Sequence, residues 1–173
     1  MNDLPPMLGF AAWSGTGKTT LLVRLIPLLR ATGMRIAMIK HAHHSFDVDK
    51  PGKDSHALRK AGAEQMLIAS SQRFALMVEN PEPREPVLWE LVGHLDASRV
   101  DLILVEGFKS ECFPKLELFR PSLGKPPRYP EDPNIIAVAT DEPASFQARV
   151  PVLPLNDVMA IRDFILKWMQ GAP

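Results

Sequence analysis

The chain has 173 residues, and its 20 Lys and Arg balance 20 Asp and Glu, so the formal charge is zero. That length suits one domain with a real core, and 46% hydrophobic with 23% charged residues excludes a disordered or collagenous chain. Neutrality argues against a generic nucleic-acid or membrane-surface binder, both of which usually carry a basic excess. The single cysteine, Cys112, cannot form an internal disulfide. The start, Met1 to Pro6, has no basic segment followed by an apolar run, and no apolar stretch of membrane-spanning length follows. A cytoplasmic protein is therefore expected. Proline is the outlier: 17 residues, roughly twice the usual share. In an otherwise well-patterned chain, prolines belong in connections and at element ends.

In chain order, Met7 to Ala12 reads as a buried strand. Leu21, Leu22, Leu25, Ile26, Leu28 and Leu29 then recur at helical spacing up to Gly33, with Pro27 expected to kink the last turns. A second strand covers 35–40, a polar stretch runs from His41 to Lys53, and a short helix over 55–61 has Asp54 as its cap. Two β-rich pieces, 65–69 and 73–79, predict an antiparallel hairpin. Pro81, Pro83 and Pro86 lead into a helix presenting Leu88, Leu91, Val92 and Leu95 on one face. The run 101–105 reads as a central parallel strand covered on both faces. Residues 115–120 alternate in polarity and read as an edge or half-buried strand. After a proline-rich loop to Pro133 come strands at 135–139 and 152–155, and a final amphipathic helix over 157–169. Alternating strands and helices predict a single α/β domain over 1–173. It has three layers and a mostly parallel sheet, interrupted by an antiparallel insertion at roughly 65–80 and 113–121.

The stretch Ser14, Gly15, Thr16, Gly17, Lys18, Thr19 and Thr20 lies between the first strand and the first helix. Glycines let successive backbone N–H groups curl around a phosphate, and the helix N-terminus adds partial positive charge. Lys18 is placed to reach the β- and γ-phosphates, and the Thr19 hydroxyl to ligate Mg²⁺. Ala12 stands where the strict pattern has its first glycine; a left-handed backbone there would cost alanine roughly 1–2 kcal/mol. Such a loop needs an acidic partner for the metal at the end of a buried strand. Glu106, followed by Gly107, supplies it, whereas Asp101 opens the same strand at the far end from the phosphates.

These pieces together resemble the molybdopterin-guanine dinucleotide biosynthesis protein B (MobB) family. The resemblance rests on the segments 10–22, Ile39-Lys40-His41, 47–55, 58–63 and Leu104-Val105-Glu106-Gly107-Phe108-Lys109. The first segment accommodates Ala12, since members carry the same Ala-Ala-Trp-Ser-Gly form. The resemblance implies a P-loop NTPase-type fold, GTP binding with Mg²⁺, slow hydrolysis and a homodimer. It also implies assistance to the guanylyltransferase that joins GMP to molybdopterin, and contact with other molybdenum-cofactor enzymes. A stand-alone kinase or a metal-delivery GTPase is the alternative on the same scaffold.

The loop after the second strand holds His41, His43, His44, Asp47 and Asp49, which could form a transition-metal site. Lys40, Lys50 and Lys53 surround it, however, and their charges oppose a bound cation. A loop acting on the phosphates fits better: Lys40, His41 and Lys53 offset anionic charge, and Asp49 or Asp54 joins the Mg²⁺ water shell. Lys109 could meet a nucleotide phosphate, a pterin phosphate or only water. Guanine recognition needs a carboxylate that accepts from the base N–H groups, and Asp141, just past the strand at 135–139, is the candidate. The usual Asn and Lys before such an Asp are missing. No Gln or Arg follows Glu106 to orient an attacking water, so intrinsic hydrolysis is expected to be slow. The apolar hairpin has open edges, and pairing with a second copy would cover them.

Overall fold

The computed structural model describes residues 4–42 and 46–171. The chain divides into two compact units, Met1–His41 with Leu88–Pro173, and Ala42–Val87.

The larger unit is built on six parallel strands. These are β1 (Met7–Ala12), β2 (Ile36–Lys40), β5 (Leu102–Glu106), β6 (Lys115–Phe119), β7 (Ile135–Thr140) and β8 (Val152–Pro154), in the order β2-β5-β1-β6-β7-β8. Strand β5 shows why a central strand reads as an unbroken apolar run. Its Leu102 and Leu104 pack into a core shared with Leu21, Leu22, Leu25 and Leu29 of α1 (Lys18–Arg30) and with Ile161 and Ile165 of α4 (Val158–Gln170). Its Ile103 and Val105 point the other way, into a second cluster with Ile39 and with Leu88 and Val92 of α3 (Leu88–Val92). Helices on both faces of the sheet give the expected three layers.

Helix α1 runs through Pro27. Asp157 caps α4 by accepting from the backbone N–H groups of Met159 and Ala160 at 3.1 Å each. At the amino ends of two strands, Arg35 and Asp101 pair at 2.6 Å, and the Arg35 backbone N–H also donates to Asp101 at 2.7 Å. This pair pins β2 to β5 at the end opposite Glu106, and it holds the Asp101 carboxyl down at a pKa of about 2.

Strand β6 corrects the sequence reading. It is neither an edge strand nor part of an antiparallel insertion: it lies between β1 and β7, parallel to both, and all five residues are buried. Its polarity misled because its charged residues find partners in the proline-rich loop that follows. Glu117, fully buried, accepts from the backbone N–H groups of Arg128 at 2.7 Å and Tyr129 at 2.8 Å. Burial still pushes its carboxyl pKa up, against those two hydrogen bonds. The Lys115 ammonium donates to the Glu111 carbonyl at 2.7 Å and pairs with Asp132 at 3.0 Å. A charge enters a sheet interior when its partners are built in, and here the loop provides them.

The smaller unit contains α2 (Asp54–Lys60) and the antiparallel hairpin of β3 (Gln65–Ala69) and β4 (Phe74–Val78). Lys53 takes the cap position of α2, and Asp54 sits in its first turn. Arg59 on α2 holds the unit together, donating to Asp49 and Asp47 and to Glu79, each at 2.7 Å. One hairpin face carries Leu67, Phe74, Leu76 and Val78, all exposed.

Candidate nucleotide site

The turn from β1 into α1 is shaped by two glycines. Gly15 and Gly17 have φ of 83° and 95°, the left-handed region that costs other residues energy, and Gly17 is the cap residue of α1. Ala12 ends β1 without a positive φ, so the missing first glycine costs no backbone strain. Thr16 is buried, and its hydroxyl donates to the Trp13 carbonyl at 2.7 Å, closing the turn from inside. Ser14, Gly15, Thr19 and Thr20 are exposed along the same turn. Backbone donors and a helix N-terminus thus face outward at the carboxyl end of β1, where parallel sheets bind ligands.

Glu106 ends β5 beside both neighbours, its backbone in register with Phe10 of β1 and Lys40 of β2. Its largely buried carboxylate lies 3.4 Å from the Lys18 ammonium and 3.7 Å from that of Lys40. Three sequence-derived candidates, Lys18, Lys40 and Glu106, therefore meet at one end of the sheet. The oxygen donors there, the Glu106 carboxylate and the Thr19 hydroxyl, are the hard ligands that Mg²⁺ prefers.

The turn after Glu106 is conformationally special. Gly107 has φ of 98° and Phe108, the one described non-glycine with positive φ, has 51°. A Cβ on Gly107 would come within 2.5 Å of the His41 side chain, so this glycine makes room for His41. The His41 backbone N–H donates to the Glu106 carbonyl at 2.8 Å, and its ring lies 5.0 Å from that of Phe108. His41 is thereby fixed beside Glu106.

The other candidates spread out. Asp49 and Lys53 belong to the smaller unit. Asp49 is buried with both carboxylate oxygens engaged by Arg59, whose hydrogen bonds hold its pKa below the usual carboxylate range. Lys53 is exposed. His43 and His44 lie outside the described residues, and among the described residues no group of three or more His, Cys, Asp or Glu is placed to hold a metal ion. Asp141 follows β7 and receives the Arg120 guanidinium at 2.6 Å on one oxygen; its other oxygen is buried without a hydrogen-bond partner.

Sequence reasoning missed two arginines. Arg120, the first residue past β6, donates to the Thr16 carbonyl at 2.9 Å as well as to Asp141, and so ties the phosphate-binding turn to the end of β7. Arg128 stacks on the Trp13 ring with its guanidinium carbon 4.0 Å from the centroid, while the Trp13 indole N–H donates to the Pro126 carbonyl at 2.9 Å. The readable signal for Arg120 was its position: it and Asp141 each directly follow the carboxyl end of a buried strand. Nothing local marks Arg128.

The sequence profile of the family described as molybdopterin guanine dinucleotide synthesis protein B matches residues 7–141. The chain belongs to that family. It is 54% identical to the molybdopterin-guanine dinucleotide biosynthesis adapter protein of Escherichia coli K12, covering 95% of this chain and 94% of that one. The protein of the same description from Haemophilus influenzae is 44% identical over 98% of this chain and 92% of its own. Among solved structures, a molybdopterin-guanine biosynthesis protein B superposes with a TM-score of 0.68 at 27% identity, covering 95% of this chain and 99% of that one. The mostly parallel sheet is that of the solved MobB protein.

Proposed function

We propose that this chain is a GTP-binding adaptor in molybdenum-cofactor maturation. It assists a guanylyltransferase that joins GMP to molybdopterin, and it works with other enzymes that handle that cofactor. The supporting observation is the turn at Trp13–Gly17, with its left-handed glycines and with Lys18 facing Glu106 at 3.4 Å. The adaptor role comes from relatives of that description that match nearly the whole chain.

In this reading Ser14 to Thr20 cradle the nucleotide phosphates with backbone N–H groups, and Lys18 turns from Glu106 to the phosphate oxygens. Thr19 and Glu106 hold Mg²⁺, which when bound offsets charge on the β- and γ-phosphates. Lys40 and His41 supply positive charge and a proton donor beside Glu106. Asp49 and Lys53 belong to the same proposed machinery only if Asp49 leaves Arg59 when nucleotide binds. Asp141 reads guanine through the oxygen that Arg120 leaves unused. Hydrolysis is slow, because neither Gln nor Arg stands in the positions just after Glu106 to orient an attacking water. The exposed Leu67, Phe74, Leu76 and Val78 face a second copy in a homodimer. The setting is the cytoplasm; no helix among the described residues is long and apolar enough to cross a membrane.

Thermal stabilisation by GTP-Mg²⁺ against ATP-Mg²⁺ tests the reading. GTP at a hundred times its dissociation constant stabilises by about 2.7 kcal/mol. The shift vanishes in Lys18→Ala, and the preference over ATP is lost in Asp141→Asn. Equal shifts with both nucleotides remove the role of Asp141, and no shift with either ends the nucleotide reading.

A further inference from the structure

Near the phosphate-binding turn lies a second polar pocket, and of its residues only Lys109 was a candidate for the nucleotide phosphates. It has a volume of about 270 Å³ and is lined by Ala11, Lys109, Arg128, Asn134 and neighbouring residues, all within the larger unit. Ala11 is the penultimate residue of β1, so the pocket opens directly behind the turn that begins at Trp13.

Its charges are unequally spent. Asp132 also lines it, but one of its oxygens pairs with Lys115 and the other accepts from Asn134. Glu131, at the exposed rim, is the remaining carboxylate. Among the described residues neither Lys109 nor Arg128 has an ion-pair partner, and the Arg128 Nε–H is buried with no acceptor. Partial desolvation, then the like charges of Arg128 and Lys18, lower the pKa of the exposed Lys109; Lys18 has its own partner in Glu106, so Lys109 and Arg128 are the cations this pocket leaves for a ligand. The Arg128 guanidinium is held by its stack on Trp13, and its backbone N–H is tied to Glu117. A planar fork fixed before the ligand arrives loses little entropy on binding and fits two phosphate oxygens at once. An unpaired buried donor is costly, and an anion would satisfy it.

We propose that Lys109 and Arg128 form a binding site for the phosphate monoester of a second, phosphorylated ligand, occupied alongside the nucleotide at the phosphate-binding loop. The inference rests on the adaptor reading for the ligand's identity. Joining GMP to molybdopterin as a dinucleotide makes a phosphoanhydride, so the acceptor brings a phosphate of its own. The chemistry of transfer belongs to the guanylyltransferase; this site only holds the acceptor phosphate. The pocket is smaller than the usual volume for a whole ligand, about 300–1,000 Å³, so it takes the anionic end and leaves the pterin outside.

The test uses the full chain saturated with GTP-Mg²⁺ and reads pterin fluorescence anisotropy. Three probes are titrated: neopterin monophosphate, neopterin, and orthophosphate as a competitor. The monophosphate is expected to bind saturably, at least about tenfold tighter than neopterin, and to be displaced by orthophosphate; a charge-assisted contact is worth about that factor. Lys109→Ala and Arg128→Gln each weaken it by about tenfold, while Arg128→Gln keeps the thermal shift with GTP. Lys109 is exposed and, among the described residues, makes no side-chain hydrogen bond or ion pair, so its result stands even if Arg128→Gln disturbs the Trp13 turn. Equal binding of the two pterins, or unchanged affinity in Lys109→Ala, overturns the proposal. So does a Lys109→Ala variant that weakens GTP but not GDP, since the pocket would then serve the nucleotide's own γ-phosphate. If GTP fails to stabilise the wild-type chain, the adaptor reading falls, and the same titration without nucleotide still decides the pocket.

Discussion

The two units of this chain are held together by opposite means. The sheet unit buries leucines, isoleucines and valines on both faces, and its buried charges, Lys115 and Glu117, are accommodated within that core. In the 42–87 unit, the only buried residues among those described are Asp49 and Arg59. Its apolar side chains are half-buried or face outward, and a guanidinium with three carboxylates does the work of a core. An apolar core is non-directional and resists local opening, whereas an ionic knot depends on each partner being present. The first unit therefore suits a rigid phosphate-binding scaffold, and the second suits an element that reshapes when something binds it.

That contrast can be broken most forcefully from the sheet side. Leu104→Ala, at a fully buried position of the central β5, is expected to cost about 2–5 kcal/mol in chemical denaturation, through lost burial and the cavity left behind. Next in size is Arg59→Met, which strands buried Asp49. Amide exchange in β3 and β4 should then accelerate by about tenfold or more while β1 and β5 stay protected; equal acceleration in both would mean the units open as one. Smaller still for folding is Phe74→Ser with Leu76→Thr on the exposed hairpin face. Monomer stability should change by no more than about 0.5 kcal/mol, yet sedimentation should show weaker self-association.

Asp101→Asn gives the mildest effect. The folded-state pKa of about 2 lies below the ordinary 3.8, so the Asp101 contribution is complete above about pH 4 and is lost as pH falls through 2. Thermal scans of wild type and variant should differ at pH 6 and converge near pH 2.

Local chemistry was legible from the sequence, and distant partnership was not. Gly15, Gly17, Lys18 and Thr19 announce a phosphate-binding turn because each requirement falls within a few residues. Likewise the unbroken apolar run of β5 announces a strand covered on both faces. Strand β6 was misplaced because Lys115 and Glu117 look like solvent-facing residues until their partners, 11 to 17 positions away, are known. The Arg120 bridge spans 104 positions to Thr16, and the Trp13–Pro126 bond spans 113, separations at which sequence spacing carries no signal. The ionic knot around Arg59 went unseen for the same reason: Asp47 and Asp49 read as candidates for a metal or its water shell, and Glu79 as the end of a strand, whereas all three meet Arg59.

Ile39 and Leu88, close to the two ends of the 42–87 stretch, pack in the same apolar cluster. The sheet unit therefore treats everything between them as one closed loop leaving and re-entering a single crossover connection. Closing such a loop costs entropy that grows only with the logarithm of its length, about 0.6 kcal/mol per doubling. Insertions, deletions or wholesale exchange within that stretch should leave the phosphate-binding scaffold almost unaffected.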